Sequence, residues 1–133
     1  MPLDDDTYLD HFERRALGPE HFDHLGHLRM AWLHLNRYGL EEGNRRVCEG
    51  IRQLAAQFGA PQKYHRTLSE ALMRIMARRM CDAGTQDFDG FLAANRDLVT
   101  DALAVLARHY SGERLHSPQA RAAWVEPDRE SID

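Results

Sequence analysis

Lysine is almost missing from this sequence: of 17 basic residues only Lys63 is lysine, and the other 16 are arginine. The arginines are scattered, and 21 acidic residues outnumber the cations, for a formal charge of −4. Dispersed cations on an acidic chain are not a nucleic-acid footprint, so no nucleic-acid partner is expected. Cysteine is scarce too. Cys48 and Cys81 make neither a disulfide framework nor a Cys-rich zinc site, which points to the reducing cytoplasm. No apolar run approaches the roughly 18 residues that would cross a bilayer, so no membrane partner is expected. The start, Met1-Pro2-Leu3-Asp4-Asp5-Asp6, is acidic and lacks the basic opening and apolar stretch of a secretory signal. Internal repeats, low-complexity segments and alternating runs long enough for a strand are missing as well.

What remains is helical punctuation. The chain has 133 residues, 43% of them apolar, which suits one compact domain over 1–133. Its packed core is expected over 3–125, with a loose polar tail over 126–133. Helices are predicted over 3–17, 20–38, 40–58, 64–82, 88–94 and 97–110, with a last short one from Pro118 through Trp124. Gly18-Pro19, Gly39, Gly59 and Gly84 supply the stops. Thr85 is the expected cap for 88–94, Asn95 for 97–110, and Ser117 for the last helix, with Pro118 at its first position. The apolar stripe of 20–38 reads Leu25, Leu28, Ala31, Trp32 and Leu35; that of 64–82 reads Leu68, Leu72, Ile75, Met76 and Met80. The fold class expected is all-α: an up-down bundle of four to five main helices plus a short C-terminal helix.

The eight histidines are the chemical signal. Asp23 is a natural N-cap, which puts His24 and His27 one turn apart on one helical face. His24 is in phase with Leu28, Ala31 and Leu35. His65 opens the fourth helix, just ahead of Thr67-x-x-Glu70, which has the capping-box form. Short loops make the second and fourth helices parallel, so their N-termini share one end of the bundle. His24, His27 and His65 are therefore the expected ligands of one divalent transition metal (zinc, iron, nickel or copper), with water or substrate in an open position. Tyr64 and Glu70 are the catalytic candidates, placed to orient or protonate the ligand. The reaction class is metal-assisted hydrolysis, hydration or oxygen chemistry on a small-molecule substrate.

Two helix N-termini place positive potential where that cation would sit, which disfavours a bare metal ion and favours an anionic companion. In a metal-free version His65 or His24 is the general base, Tyr64 a hydrogen-bond donor and Arg66 an anion clamp. His109 reads as a helix C-terminal residue; His11, His21, His34 and His116 read as surface or interface residues. Cys48 and Cys81 read as structural. The alternative function is a non-catalytic helical interaction or homo-oligomerisation module, marked by an apolar patch around Trp124 and Phe91. A metal carrier or sensor is the third.

The stretches His24-x-x-His27-Leu28-x-x-Ala31-Trp32, Tyr64-His65-x-Thr67 and Leu115-x-Ser117-x-x-Ala120-Arg121, followed by Val125-x-Pro127-Asp128, carry a resemblance. Together they resemble an uncharacterised family of small bacterial all-helical proteins, over Phe12 to Asp128. The resemblance implies a helical fold and brings no activity or cofactor. The paired Glu-x-x-His pattern of di-iron bundles is absent: Glu20-x-x-Asp23 and Glu70-x-x-Met73 fail it.

Overall fold

The computed structural model describes residues 4–21, 23–84 and 87–132, with residue 83 described by its backbone alone. The fold is all-α. Among the described residues there are eight α-helices, two 3₁₀ turns (Pro19–His21 and Pro61–Lys63) and no strand. None of these helices is long and apolar enough to cross a membrane. The chain forms two compact units, Met1–Tyr64 and His65–Asp133.

In the first unit, α1 (Asp5–Glu13) starts where the Asp4 carboxylate accepts the Thr7 N–H at 2.7 Å. It ends earlier than the periodicity predicts, because Arg15 turns to φ 58°. The predicted start at Leu3 lies outside the described residues. α2 (His24–Gln57) is capped by Asp23, as expected, with its carboxylate on the Gly26 N–H at 2.7 Å. The two helices predicted on either side of Gly39 are the arms of this element. Gly39 has φ 78° and ψ −177°, a backbone region essentially closed to residues with a Cβ.

The arms fold back on each other. A Cβ built on Gly43 would lie 3.0 Å from the His34 carbonyl oxygen, whereas nine residues of straight helix would separate the two by about 13 Å. α1 crosses this corner. Its Phe12 is fully buried over Gly50, where a Cβ would overlap the Phe12 ring. Tyr8 is buried beside it and donates its hydroxyl to the Gly26 carbonyl at 3.0 Å. The apolar stripe of the first arm begins at Leu28, since Leu25 is 47% exposed.

In the second unit, α3 (Arg66–Ala83) packs against two of the shorter helices that follow it, α6 and α8. α4 (Phe88–Ala94) matches its predicted limits, but its cap is Asp87, whose carboxylate holds the Gly90 N–H at 2.8 Å. The predicted cap Thr85 lies outside the described residues. The helix predicted over 97–110 is two: α5 (Arg96–Thr100) and α6 (Ala102–Ala107), parted at Asp101 with φ −152° and ψ 53°. Aspartate competes with the helix ladder for backbone groups, which weakens a helix interior at that position. α7 (Gly112–Leu115) follows a Ser111 cap that the sequence reading passed over. α8 (Pro118–Ala122) has the expected Ser117 cap and first-turn proline.

The tail from Glu126 is tied down rather than loose. The Arg129 and Glu130 N–H groups donate to the His109 and Arg108 carbonyls at 2.9 and 3.1 Å. Asp128 accepts from the Ser111 hydroxyl at 2.6 Å and its N–H at 2.8 Å. Helix ends expose carbonyls without intrahelical partners, and here the tail supplies the donors.

Candidate functional site

The five residues singled out for chemistry are divided between the units. His24, His27 and Tyr64 belong to the first, His65 and Glu70 to the second. His24 is exposed on the first turn of α2, and His27 is half-buried one turn on. Burial lowers the pKa of His27, and neighbouring His24 lowers it further. His27 is therefore a neutral imidazole at pH 7. Tyr64 ends the Pro61–Lys63 turn, its N–H on the Pro61 carbonyl at 3.2 Å.

His65 has a defined job. It is the N-cap of α3, in extended backbone, and its Nδ1 accepts the Leu68 N–H at 3.0 Å. Its Nε2 lies 2.7 Å from the Leu115 carbonyl oxygen, 50 residues along the chain. A carbonyl only accepts, so Nε2 carries the proton and Nδ1 carries the lone pair. Burial lowers the pKa of His65 against the opposing pull of the Leu115 carbonyl, so the ring is neutral at pH 7. A neutral imidazole has one ring lone pair, and here it receives the Leu68 N–H.

The expected capping box does not form, because the cap is His65 and not Thr67. Thr67 is fully buried two residues later. Its hydroxyl donates to the Ala123 carbonyl at 2.8 Å and accepts the Val125 N–H at 3.1 Å. Tyr110 donates to the Val125 carbonyl at 2.7 Å. Glu70, with 6% of its side chain exposed, is clamped by two arginines. Arg66 holds Oε1 at 2.8 Å and Arg74 holds Oε2 at 2.7 Å. The Arg74 guanidinium in turn lies over the Trp124 ring, 4.3 Å from its centroid. His65, Thr67 and Glu70 thus form a row along the start of α3 that fixes the segment from Leu115 to Val125.

His34 is the residue whose placement the sequence reading missed. It is completely buried rather than at the surface, its Nδ1 2.7 Å from the Met30 carbonyl and its Nε2 3.3 Å from Glu13. Burial lowers its pKa, outweighing the Met30 and Glu13 contacts that raise it. The available signal was its place between Leu33 and Leu35 and one turn after Met30, all of which are buried.

Among the described residues no three His, Cys, Asp or Glu side chains stand together in a group able to hold a metal ion. The apolar patch expected around Trp124 and Phe91 does not form, because Phe91 is 1% exposed. Exposed apolar surface in this unit lies elsewhere. Leu103 on α6 is 68% exposed, and a groove of about 180 Å³ is lined by Leu92, Ala93, Arg96, Val99 and Thr100 of α4 and α5. Comparison with family models, curated proteins and solved structures finds no match to this chain.

Proposed function

We propose that the protein is a non-catalytic helical module that acts by binding a protein partner. The observation that carries this reading is the commitment of His65. Its one lone pair caps α3 and its one N–H holds the Leu115 carbonyl. Glu70 is likewise held by Arg66 and Arg74. His65 and Glu70 maintain the fold, while Leu103 of α6 and Ala93 of α4 are exposed. The cytoplasmic setting expected from the cysteine count belongs to this reading, and among the described residues Cys48 and Cys81 form no disulfide.

A second reading is the divalent metal site on His24, His27 and His65, with Tyr64 and Glu70 beside a small-molecule substrate. One observation favours it: His27 is held neutral next to His24, and a neutral imidazole is the form that ligates a metal. Thermal unfolding with zinc, nickel, copper or iron(II) in excess separates the two. A ligand at 100 times its dissociation constant stabilises the folded state by about 2.7 kcal/mol. The module reading expects an unchanged midpoint with each metal, and a lower midpoint in His65→Ala regardless of metal. A metal-induced rise that disappears in the His24→Ala/His27→Ala double variant would establish the metal reading instead.

A further inference from the structure

We propose that His34 and Glu13 form a proton-operated latch at the Gly39 corner. A proton taken up by the buried imidazole is held on Nε2 and moves the grip of α1 from one arm of α2 to the other. All of its parts lie in the first unit. His34 sits on the first arm and is completely buried. Its Nδ1 lies 2.7 Å from the Met30 carbonyl oxygen and its Nε2 3.3 Å from Glu13 Oε1. A carbonyl only accepts, so Nδ1, at the shorter contact, carries the ring proton. In the neutral ring Nε2 is then a lone pair, and it faces a carboxylate that also only accepts. Two facing acceptors make no hydrogen bond. One added proton turns this contact into a charge-assisted bond, with a donor on each ring nitrogen.

The groups around the ring come from three elements. Phe12 of α1 meets it edge-on at 5.0 Å, and Tyr38 of its own arm lies at 5.8 Å. Glu13 ends α1 with about a third of its side chain exposed. Its Oε1 is shared, because Arg46 of the second arm reaches the same atom at 3.3 Å. Arg46 has two further holds: Glu42 at 2.7 Å, and the Tyr38 ring 4.1 Å from its guanidinium. It can therefore release Glu13 and keep a carboxylate partner. With His34 neutral, Glu13 joins α1 to the second arm through Arg46. With His34 charged, the same oxygen joins α1 to the first arm. Burial opposes the charged ring and Arg46 opposes it further, while the Met30 carbonyl and Glu13 favour it. The balance places proton uptake below the usual imidazole range, so acidification operates the latch.

The test uses the full chain, labelled with nitrogen-15, and follows the His34 ring nitrogens as the solution is acidified. Circular dichroism confirms that the chain stays folded. Nδ1 is expected to be protonated throughout, and Nε2 to gain its proton before unfolding. The Arg46 Nε–H resonance should follow the same curve, since Arg46 gives up the shared oxygen. Two variants then move proton uptake in opposite directions. Glu13→Gln is nearly isosteric and offers an amide N–H to the Nε2 lone pair, which satisfies the neutral ring. It should weaken proton uptake by roughly tenfold or more. Arg46→Gln removes the competing cation and should strengthen uptake several-fold. Both positions are partly exposed, so both variants keep the fold. An unprotonated Nδ1 at neutral pH, uptake unchanged in Glu13→Gln, shifts of the same sign in the two variants, or uptake only on global unfolding would each overturn the proposal.

Discussion

The two units are held together in different ways. The first, Met1–Tyr64, relies on shape. One 34-residue helix is broken at Gly39, and α1 lays Tyr8, Leu9 and Phe12 into the corner. The second, His65–Asp133, has one helix of 18 residues followed by five of four to seven residues. Helices that short are not stable alone in water, since nucleation is costly and few bonds follow it. They are fixed by side chains that bond distant backbone: His65 to Leu115, Thr67 to Ala123 and Val125, Tyr110 to Val125, and the Asp128 carboxylate to the Ser111 N–H. Both units bury an apolar core; the second adds directional polar bonds from the start of α3 and from Tyr110 to the segment after Leu115. Polar residues at the head of α3 therefore read as chemistry in the sequence and as architecture in the structure.

Three perturbations test this contrast. The largest effect belongs to Phe12→Ala, which empties the contact with Gly50 and the edge-on approach to the His34 ring at 5.0 Å. A loss of about 3–5 kcal/mol is expected in urea unfolding. Hydrogen exchange should show the faster-exchanging amides concentrated in Met1–Tyr64. Equal acceleration throughout His65–Asp133 would erase the distinction.

Thr67→Val is nearly isosteric and removes one donor and one acceptor, leaving the Ala123 carbonyl and the Val125 N–H without their partner. It should cost about 1–3 kcal/mol, with much of the loss recovered in Thr67→Ser. A Val variant as stable as the parent would mean that apolar packing governs the second unit as well.

The smallest effect is the pH dependence. His27, His34 and His65 all have pKa values below the usual 6.5, each chiefly through burial. Below pH 6.5 the unfolded chain therefore binds more protons than the folded one. The stabilisation is fully present above about pH 6.5 and is lost as pH falls toward the lowered values. Two of the three residues lie in the first unit, so its amides should lose protection first as the solution is acidified from pH 7.5 to pH 5.5. Greater stability at the lower pH would contradict the burial of these rings.

Local signals were legible in the sequence. The all-α class follows from periodicity, and Asp23, Ser117-Pro118 and Gly39 follow from cap and stop chemistry; the limits of α4 match, although Asp87 and not Thr85 caps it. The break at Asp101 was hidden because the apolar pattern of Leu98, Val105 and Leu106 continues through it. The anchored tail was hidden because its bonds run to carbonyls 20 to 22 residues away in a polar stretch without periodicity. The candidate site was the least legible part. Direction of travel predicts which helix starts share an end, but not what a ring at a helix start is bonded to. His65 illustrates this: its partners are the Leu68 N–H three residues ahead and a carbonyl 50 residues away.

The central claim is that the His65 ring is a structural element. Long-range proton–nitrogen correlation spectra of the histidine rings test it most directly. The structure requires a neutral ring with the proton on Nε2 and an unprotonated Nδ1 accepting from Leu68, unchanged when zinc is added. A proton on Nδ1, or nitrogen shifts at residue 65 that follow stoichiometric zinc, would contradict it.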